Sequence, residues 1–524
     1  MTGLWRQRPG ARAGRWLALA LCLALGACGA KGGGVEDALD VPEPQAGVDV
    51  QRLTLALRVD PTELAVSGRA TLRVMHPNDL GTLVLGLSSA MQVDLVRVNQ
   101  QPVQITHEEN ALAIPVRGDS SLVEIVYGGT PDAGLYREET EAGGTVLWTD
   151  GWPTRTAGWM PGVHHPSDPV VWDLALEVPT SWEIAASGTP EAETLEGGWR
   201  RGRFVTSEPA PLYTLAWAAG DFAVTEQAGN VPIRHLTLRG DSLAVGALER
   251  TPAILDTLEA MLGPLPYGRF ATVEVPLVYA GMENAAAPFF QTQLYGEASG
   301  ALEEVMVHEA VHQWWGNDVV PADWRHLWLA EGPATYLTAV LYERLDGRTA
   351  FREQLVRMAL LSRDDARRRL VPDALASPEA MLSGTVYQKG GSFLHILRQT
   401  VGDAVFFAAL RATLLAYDDA PLATASFQAE LEEASGVDLD ALFETWAYST
   451  NLPTLKTRWD RGTRTLSWEL GGASGGLSGI GLELYIAQDD ASGVYVPLDN
   501  GVAALAGDAR PEVYPVGWLA DIKN

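Results

Sequence analysis

From about residue 48 to 235, apolar and polar residues alternate in short stretches such as Gln51-Arg-Leu-Thr-Leu-Ala-Leu-Arg58, separated by clusters of Gly, Pro, Asn and Asp. A period of two puts successive side chains on opposite faces of a strand, so this region predicts an all-β domain. Between 236 and 450 the period lengthens. Apolar residues recur three and four apart over 248–262, 301–316, 333–345, 351–369 and 402–416, which predicts helices, with one strand-like run at 271–280. From 451 to 524 β-type stretches return, for example Thr465-Leu-Ser-Trp-Glu-Leu470 and Gly481-Leu-Glu-Leu-Tyr-Ile486. The expected fold is therefore multidomain α+β: an N-terminal β-sheet domain at 48–235, a mixed sheet-and-helix domain at 236–450, and a short C-terminal β-sandwich-like domain at 451–524.

The first 47 residues follow a different pattern. Residues 1–15 carry Arg6, Arg8, Arg12 and Arg15 and no acid, and Trp16 to Ala27 form an apolar run of twelve. That run is shorter than the roughly 20 residues needed to span a bilayer and fits the core of an export signal. It ends in Leu25-Gly26-Ala27-Cys28, which resembles a bacterial lipoprotein cleavage box. The resemblance implies removal of residues 1–27 and lipid attachment to the Cys28 sulfur. The protein would then be exported and anchored at a membrane of the cell envelope, with residues 28–47 as a flexible tether. Cys22, the other of the two cysteines, lies inside the apolar run. The mature chain would then keep no thiol for catalysis or for a metal.

Composition narrows the classes further. Hydrophobic residues make up 47% and charged residues 20% of 524, which is ordinary for a globular protein. The formal net charge of −28 repels phosphate backbones, so no nucleic-acid partner is expected. An acidic surface also favours cationic substrates.

The chemistry concentrates in the helical segment 301–316, which contains His308-Glu309-Ala310-Val311-His312. Two His at i and i+4 lie on one helix face, about 6 Å apart along the axis, so both imidazoles can reach one zinc ion. Glu309 can then face the metal-activated water as general base. Glu331 follows His312 by 19 residues, in Trp328-Leu329-Ala330-Glu331-Gly332-Pro333, near the start of the next helix. Two His and one Glu leave a coordination position open, as a catalytic zinc requires.

Four blocks resemble the gluzincin zinc aminopeptidases typified by aminopeptidase N and leukotriene hydrolase. His308 to Asn317 fits the family's H-E-x-x-H-Q-W-x-G-N. Trp328 to Gly332 fits W-L-N-E-G, with Ala330 in place of Asn. Ala280-Gly281-Met282-Glu283-Asn284 fits G-A-M-E-N with its first two residues exchanged, and Tyr387-Gln388-Lys389-Gly390 fits Y-x-K-G. The resemblance implies a thermolysin-like catalytic domain, one Zn2+ held by His308, His312 and Glu331, and release of N-terminal residues from peptides with a free N-terminus. By block position Glu283 would bind the α-amine, Gly281 and Met282 would line the substrate, and Tyr387 would donate a hydrogen bond to the oxyanion. Lys389 and Gly390 would shape the turn. A looser block, Trp152 to Trp172, puts Asp150 where relatives carry an amine-holding Gln or acid. Asp150 could hold the amine, favour basic first residues, bind calcium or belong to a surface loop. His164 and His165 read as loop residues. The metal residues alone also suit an endopeptidase; Glu283 discriminates, since an endopeptidase has no amine to bind.

Overall fold

The computed structural model describes residues 38–140, 143–239, 244–296, 300–362, 365–375, 377–418, 420–471, 477, 480–488, 493–506 and 509–523. The expected signal peptide at 1–27, Cys28 and residues 29–37 of the expected tether lie outside the described residues. Among the described residues no helix is long and apolar enough to cross a membrane.

The described residues fall into two compact units, 38–323 with 417–421, and 324–416 with 422–523. The division falls inside the 236–450 segment that the sequence pattern treats as one domain.

The first unit holds strands β1 (Asp49–Asp60), β2 (Ala65–Met75), β3 (Ser120–Gly129), β4 (Thr145–Thr149) and β5 (Val171–Pro179); all but β4, which is buried almost throughout, carry the alternation seen in the sequence. β1 lies central in an eight-stranded sheet, parallel to β5 and antiparallel to β2. Its register sets Leu53 beside Leu72 and Trp172, and Leu55 beside Ala70 and Leu174, all buried. Each Leu buried this way stabilises the fold by roughly 1.5–3 kcal/mol relative to exposure. β4 belongs to a second, four-stranded sheet and ends just before Asp150.

The same unit continues into a five-stranded sheet containing β6 (Ile233–Leu238), β7 (Phe270–Val275), β8 (Gly281–Met282) and β9 (Phe289–Gln291). The expected strand over 271–280 stops at Val275. Pro276 cannot donate to a ladder, so the chain leaves the sheet there and returns as the short edge strand β8, antiparallel to β9. Helix α1 (Thr251–Leu262) precedes β7, and α2 (Ala301–Val311) follows β9. The expected helix over 301–316 ends five residues early. Past His312 the chain turns to bury Trp314 and Trp315, and Gly316 takes φ +120°, a conformation suited to glycine.

The second unit holds α3 (Trp328–Asp346), α4 (Arg348–Leu361), α5 (Gly390–Val401) and α6 (Asp403–Ala416). α3 starts five residues before the expected 333, so Pro333 sits inside the helix rather than in its first turn and leaves the Leu329 carbonyl without its usual amide donor. α4 ends at Leu361, short of the expected 369. Buried Arg398 on α5 pairs with Glu343 at 2.9 Å and Asp403 at 2.8 Å, linking α3, α5 and α6. Two C-terminal sheets follow, of four and three strands, and the three-stranded one packs against α4. The Gly517 amide donates to the Leu355 carbonyl at 3.3 Å, and Arg352 pairs with Glu483.

Candidate metal centre

α2 has no polar stripe, because almost all of its residues are buried. His308 is half-buried, Glu309 is 5% exposed and His312 1% exposed. The His312 Nδ1 lies 2.9 Å from the Trp315 carbonyl oxygen, which fixes the proton on Nδ1 and frees the Nε2 lone pair. That Nε2 lies 3.1 Å from His308 Nε2, with the rings edge-on at 79°. Two nitrogens bound at roughly 2.0–2.1 Å around a tetrahedral ion sit about 3.3 Å apart, so this separation suits zinc. Glu331, the third donor expected from the sequence, belongs to the second unit. Two imidazoles and one carboxylate are a zinc donor set rather than the all-oxygen set of calcium or magnesium.

β8 is built against this helix. The Gly281 Cα faces the Glu309 side chain so closely that a Cβ would lie 2.8 Å from Glu309 Cγ and nearer still to Oε1. Only glycine leaves that carboxylate in place. Glu283, directly after β8, is 8% exposed, and Met282 is 4% exposed. The Glu283 carbonyl accepts hydrogen bonds from Asn317 Nδ2 at 2.7 Å and Gln313 Nε2 at 3.3 Å. Gln313 Oε1 also accepts the Ala286 amide at 2.8 Å. Ala286 takes φ +64°, a strained conformation for a residue with a Cβ. The β domain holds the same turn from its other side, the Ala285 amide donating to Thr214 and the Gly188 amide to Ala285. Gln313 and Asn317 received no role from sequence, although both lie in the metal-helix block.

In the second unit, Glu331 is 5% exposed in the first turn of α3. Tyr387 is half-buried in a π-helical turn, Thr385–Lys389, that runs straight into α5. α3 and α5 meet backbone to backbone. A Cβ on Gly332 would lie 3.1 Å from the Gly390 carbonyl carbon, and a Cβ on Gly390 3.1 Å from Gly332 Cα. Lys389 is fully buried and its Nζ donates to the Arg368 carbonyl at 2.5 Å, while burial lowers its pKa to about 8. Lys389 and Gly390 thus brace the turn that carries Tyr387.

Asp150 is buried, not on a surface loop. Its Oδ1 accepts the Trp152 amide at 3.1 Å and its Oδ2 meets Arg155 Nη1 at 3.1 Å. Burial raises its pKa against the pull of Arg155 and that amide. Both oxygens therefore have partners within the fold. His164 sits in a loop but is buried, between Thr156 Oγ1 at 2.8 Å and the Gly86 carbonyl at 3.2 Å, and burial lowers its pKa to about 4.

Known proteins are similar to this chain in sequence and in fold. Residues 247–446 match the model of the Peptidase family M1 domain. These residues belong to the M1 peptidase family. The chain is 26% identical over 392 residues to Leucine aminopeptidase 2 of Yarrowia lipolytica, covering 67% of this chain and 58% of that protein. It is 27% identical over 302 residues to a Leukotriene A-4 hydrolase homolog of Botryotinia fuckeliana, covering 52% and 46% respectively. The chain spans about half the length of the curated relatives it matches. Among solved structures, an M1 zinc metallopeptidase mutant of Deinococcus radiodurans bound to a Tyr-Ser-Ala substrate aligns with TM-score 0.70 and 26% identity, over 80% of this chain and 99% of that one. A two-domain M1 zinc metallopeptidase mutant bound to L-arginine aligns with TM-score 0.66 and 25% identity, over 77% and 96%. The M1 domain of the present chain contains the two histidines, Glu309, Glu283, Glu331 and Tyr387.

Proposed function

We propose that the protein is a zinc-dependent aminopeptidase that removes N-terminal residues from peptides. The observation that carries this reading is the His308–His312 pair, its Nε2 atoms 3.1 Å apart, in the same unit as a buried carboxylate, Glu283, that follows an edge strand. A zinc ion held by His308, His312 and Glu331 would supply Lewis-acid polarisation of the scissile carbonyl and acidify a water. Glu309, kept in place by the missing side chain at Gly281, takes the proton of the attacking water and passes it to the leaving amine. Tyr387 donates a hydrogen bond to the oxygen on which negative charge develops. Glu283 binds the substrate's α-ammonium and sets the register at one residue, while Gly281 and Met282 offer the free edge of β8 to the peptide backbone. Related aminopeptidases and a peptide-bound structural neighbour support this assignment.

The exported, lipid-anchored form is part of the same proposal and rests on Leu25-Gly26-Ala27-Cys28. Cys28→Ala should release the protein from the membrane fraction. Elemental analysis tests the metal assignment: about one zinc per chain is expected, lost in His312→Ala and in Glu331→Ala but kept in Glu309→Gln, which should lower kcat by about 10^3-fold. Zinc retained at full occupancy in Glu331→Ala would remove that residue from the ligand set.

A further inference from the structure

Arg155 takes no part in the chemistry above, yet it is 1% exposed, and burying a guanidinium is costly unless its charge is paired and its donors are used. It opens a short 3-10 turn, Arg155–Gly158. Its Nη1 meets Asp150 Oδ2 at 3.1 Å and the Trp152 carbonyl, and its Nη2 donates to Tyr279 Oη at 3.0 Å. Asp150 alone would balance the charge. The bond to Tyr279 has a different target, the segment that Pro276 expels from the sheet between β7 and β8. Tyr279 is half-buried and stands two residues ahead of Gly281. Beyond it, Ala280 rejoins the sheet by accepting the Gln291 amide at 3.0 Å. A rigid group from the β domain therefore grips the chain just before β8, as Gln313 and Asn317 grip it just after.

We propose that Arg155 is a positioning residue: anchored by Asp150, it holds the Tyr279 hydroxyl and so fixes the placement of Gly281–Glu283. Its kinetic consequence rests on the aminopeptidase reading; the anchoring itself does not. On this account the Asp150 charge is neutralised inside the fold and does not draw basic first residues, so amine recognition falls to Glu283. Loosening the grip displaces Glu283 relative to the reacting centre and weakens binding of free-amine peptides more than it slows turnover.

The test uses the zinc-loaded full chain with Tyr279→Phe, Arg155→Met and the double variant. Tyr279→Phe leaves the Asp150–Arg155 pair intact. Should Arg155→Met fail to fold with Asp150 unpaired, Asp150→Asn/Arg155→Met takes its place. Two readouts are taken: KM and kcat on alanyl and lysyl peptides, and amide hydrogen exchange. Each single variant should raise KM about tenfold with kcat within about twofold, and the double should be no worse than the singles, because both changes break one chain of contacts. Exchange should quicken over 279–284 and stay unchanged over 305–312. Additive effects in the double variant, a fall in kcat with KM unmoved, or unchanged exchange over 279–284 would overturn the proposal. A wild-type chain that cleaves no peptide would defeat the aminopeptidase reading, while the exchange data would still decide whether Arg155 positions the strand.

Discussion

β8 and the turn after it are held by polar side chains that reach in from other elements, whereas Glu331 and Tyr387 ride on helices that touch through two glycines. Around β8 the contacts are hydrogen bonds from Gln313, Asn317, Arg155 and the backbone of the β domain. Between α3 and α5 the contact is steric, Gly332 against Gly390, backed by Lys389 on the Arg368 carbonyl. A hydrogen-bonded strand can shift when one bond is lost without unfolding its surroundings. A close helix crossing cannot, since its neighbours are backbone. Changes in the first region should therefore register in catalysis, and changes in the second in stability.

The largest expected effect comes from Gly281→Ala. The new methyl group displaces the Glu309 side chain, and a displacement of about 1 Å costs on the order of 100-fold in kcat. The melting temperature should barely move, because a side chain gives way more cheaply than backbone. Gly390→Ala should do the reverse and destabilise the chain by roughly 1–3 kcal/mol, read by denaturant unfolding. If Gly390→Ala proved neutral in stability and Gly281→Ala unfolded the protein, the contrast between the regions would be wrong.

A smaller effect is expected at Asn317. Asn317→Ala strips the 2.7 Å bond from the buried Glu283 carbonyl, which keeps Gln313 Nε2 as a donor, so the cost in stability should be about 1 kcal/mol or less. Its KM for free-amine peptides should rise more than its kcat falls. Equal losses in both would make Asn317 a support of the metal helix rather than of the strand.

A further effect separates parts of the molecule by pH. Burial, together with Asp49 and against the Val50 amide, pushes Asp168 in the β domain up to about 7. The folded chain then holds this proton more tightly than the unfolded chain, so the group's contribution to stability falls as pH rises from about 4 to 7. Asp168→Asn should flatten that loss, on the order of a few kcal/mol at most. Burial lowers His164 to about 4, and burial with Arg398 lowers His395, on α5, to about 3. These histidines stay neutral in the fold while the unfolded chain charges, so stability is lost as pH falls from about 6.5 towards 4. Hydrogen exchange at pH 5.5 and 8 should show the alkaline loss around Asp168 and not around His395.

Local patterns were legible in the sequence to the extent that spacing alone decides them. His308, Glu309 and His312 come together because a helix puts i and i+4 on one face, and β1 alternates because one side of its sheet is buried. Other features depend on partners distant in sequence. The strand at 271–280 broke at Pro276, and the helix at 301–316 ended where two tryptophans turned inward. Asp150 could not be read from its own neighbourhood, since nothing local signals that Arg155 is buried against both it and Tyr279. The closeness of Gly281 to Glu309 likewise emerges only when a strand and a helix 28 residues apart are packed together. The Gln313 and Asn317 roles were within reach, as buried amides next to metal-ligand positions commonly brace the backbone that faces them.

The most direct test of the central claim is mass-spectrometric cleavage of a peptide library, each peptide supplied with a free and with an acetylated N-terminus, using Glu309→Gln as the blank. Stepwise loss of N-terminal residues from the free peptides alone is the predicted result, with no advantage for Lys or Arg at the first position. Internal cuts in both sets would contradict it and remove the role given to Glu283.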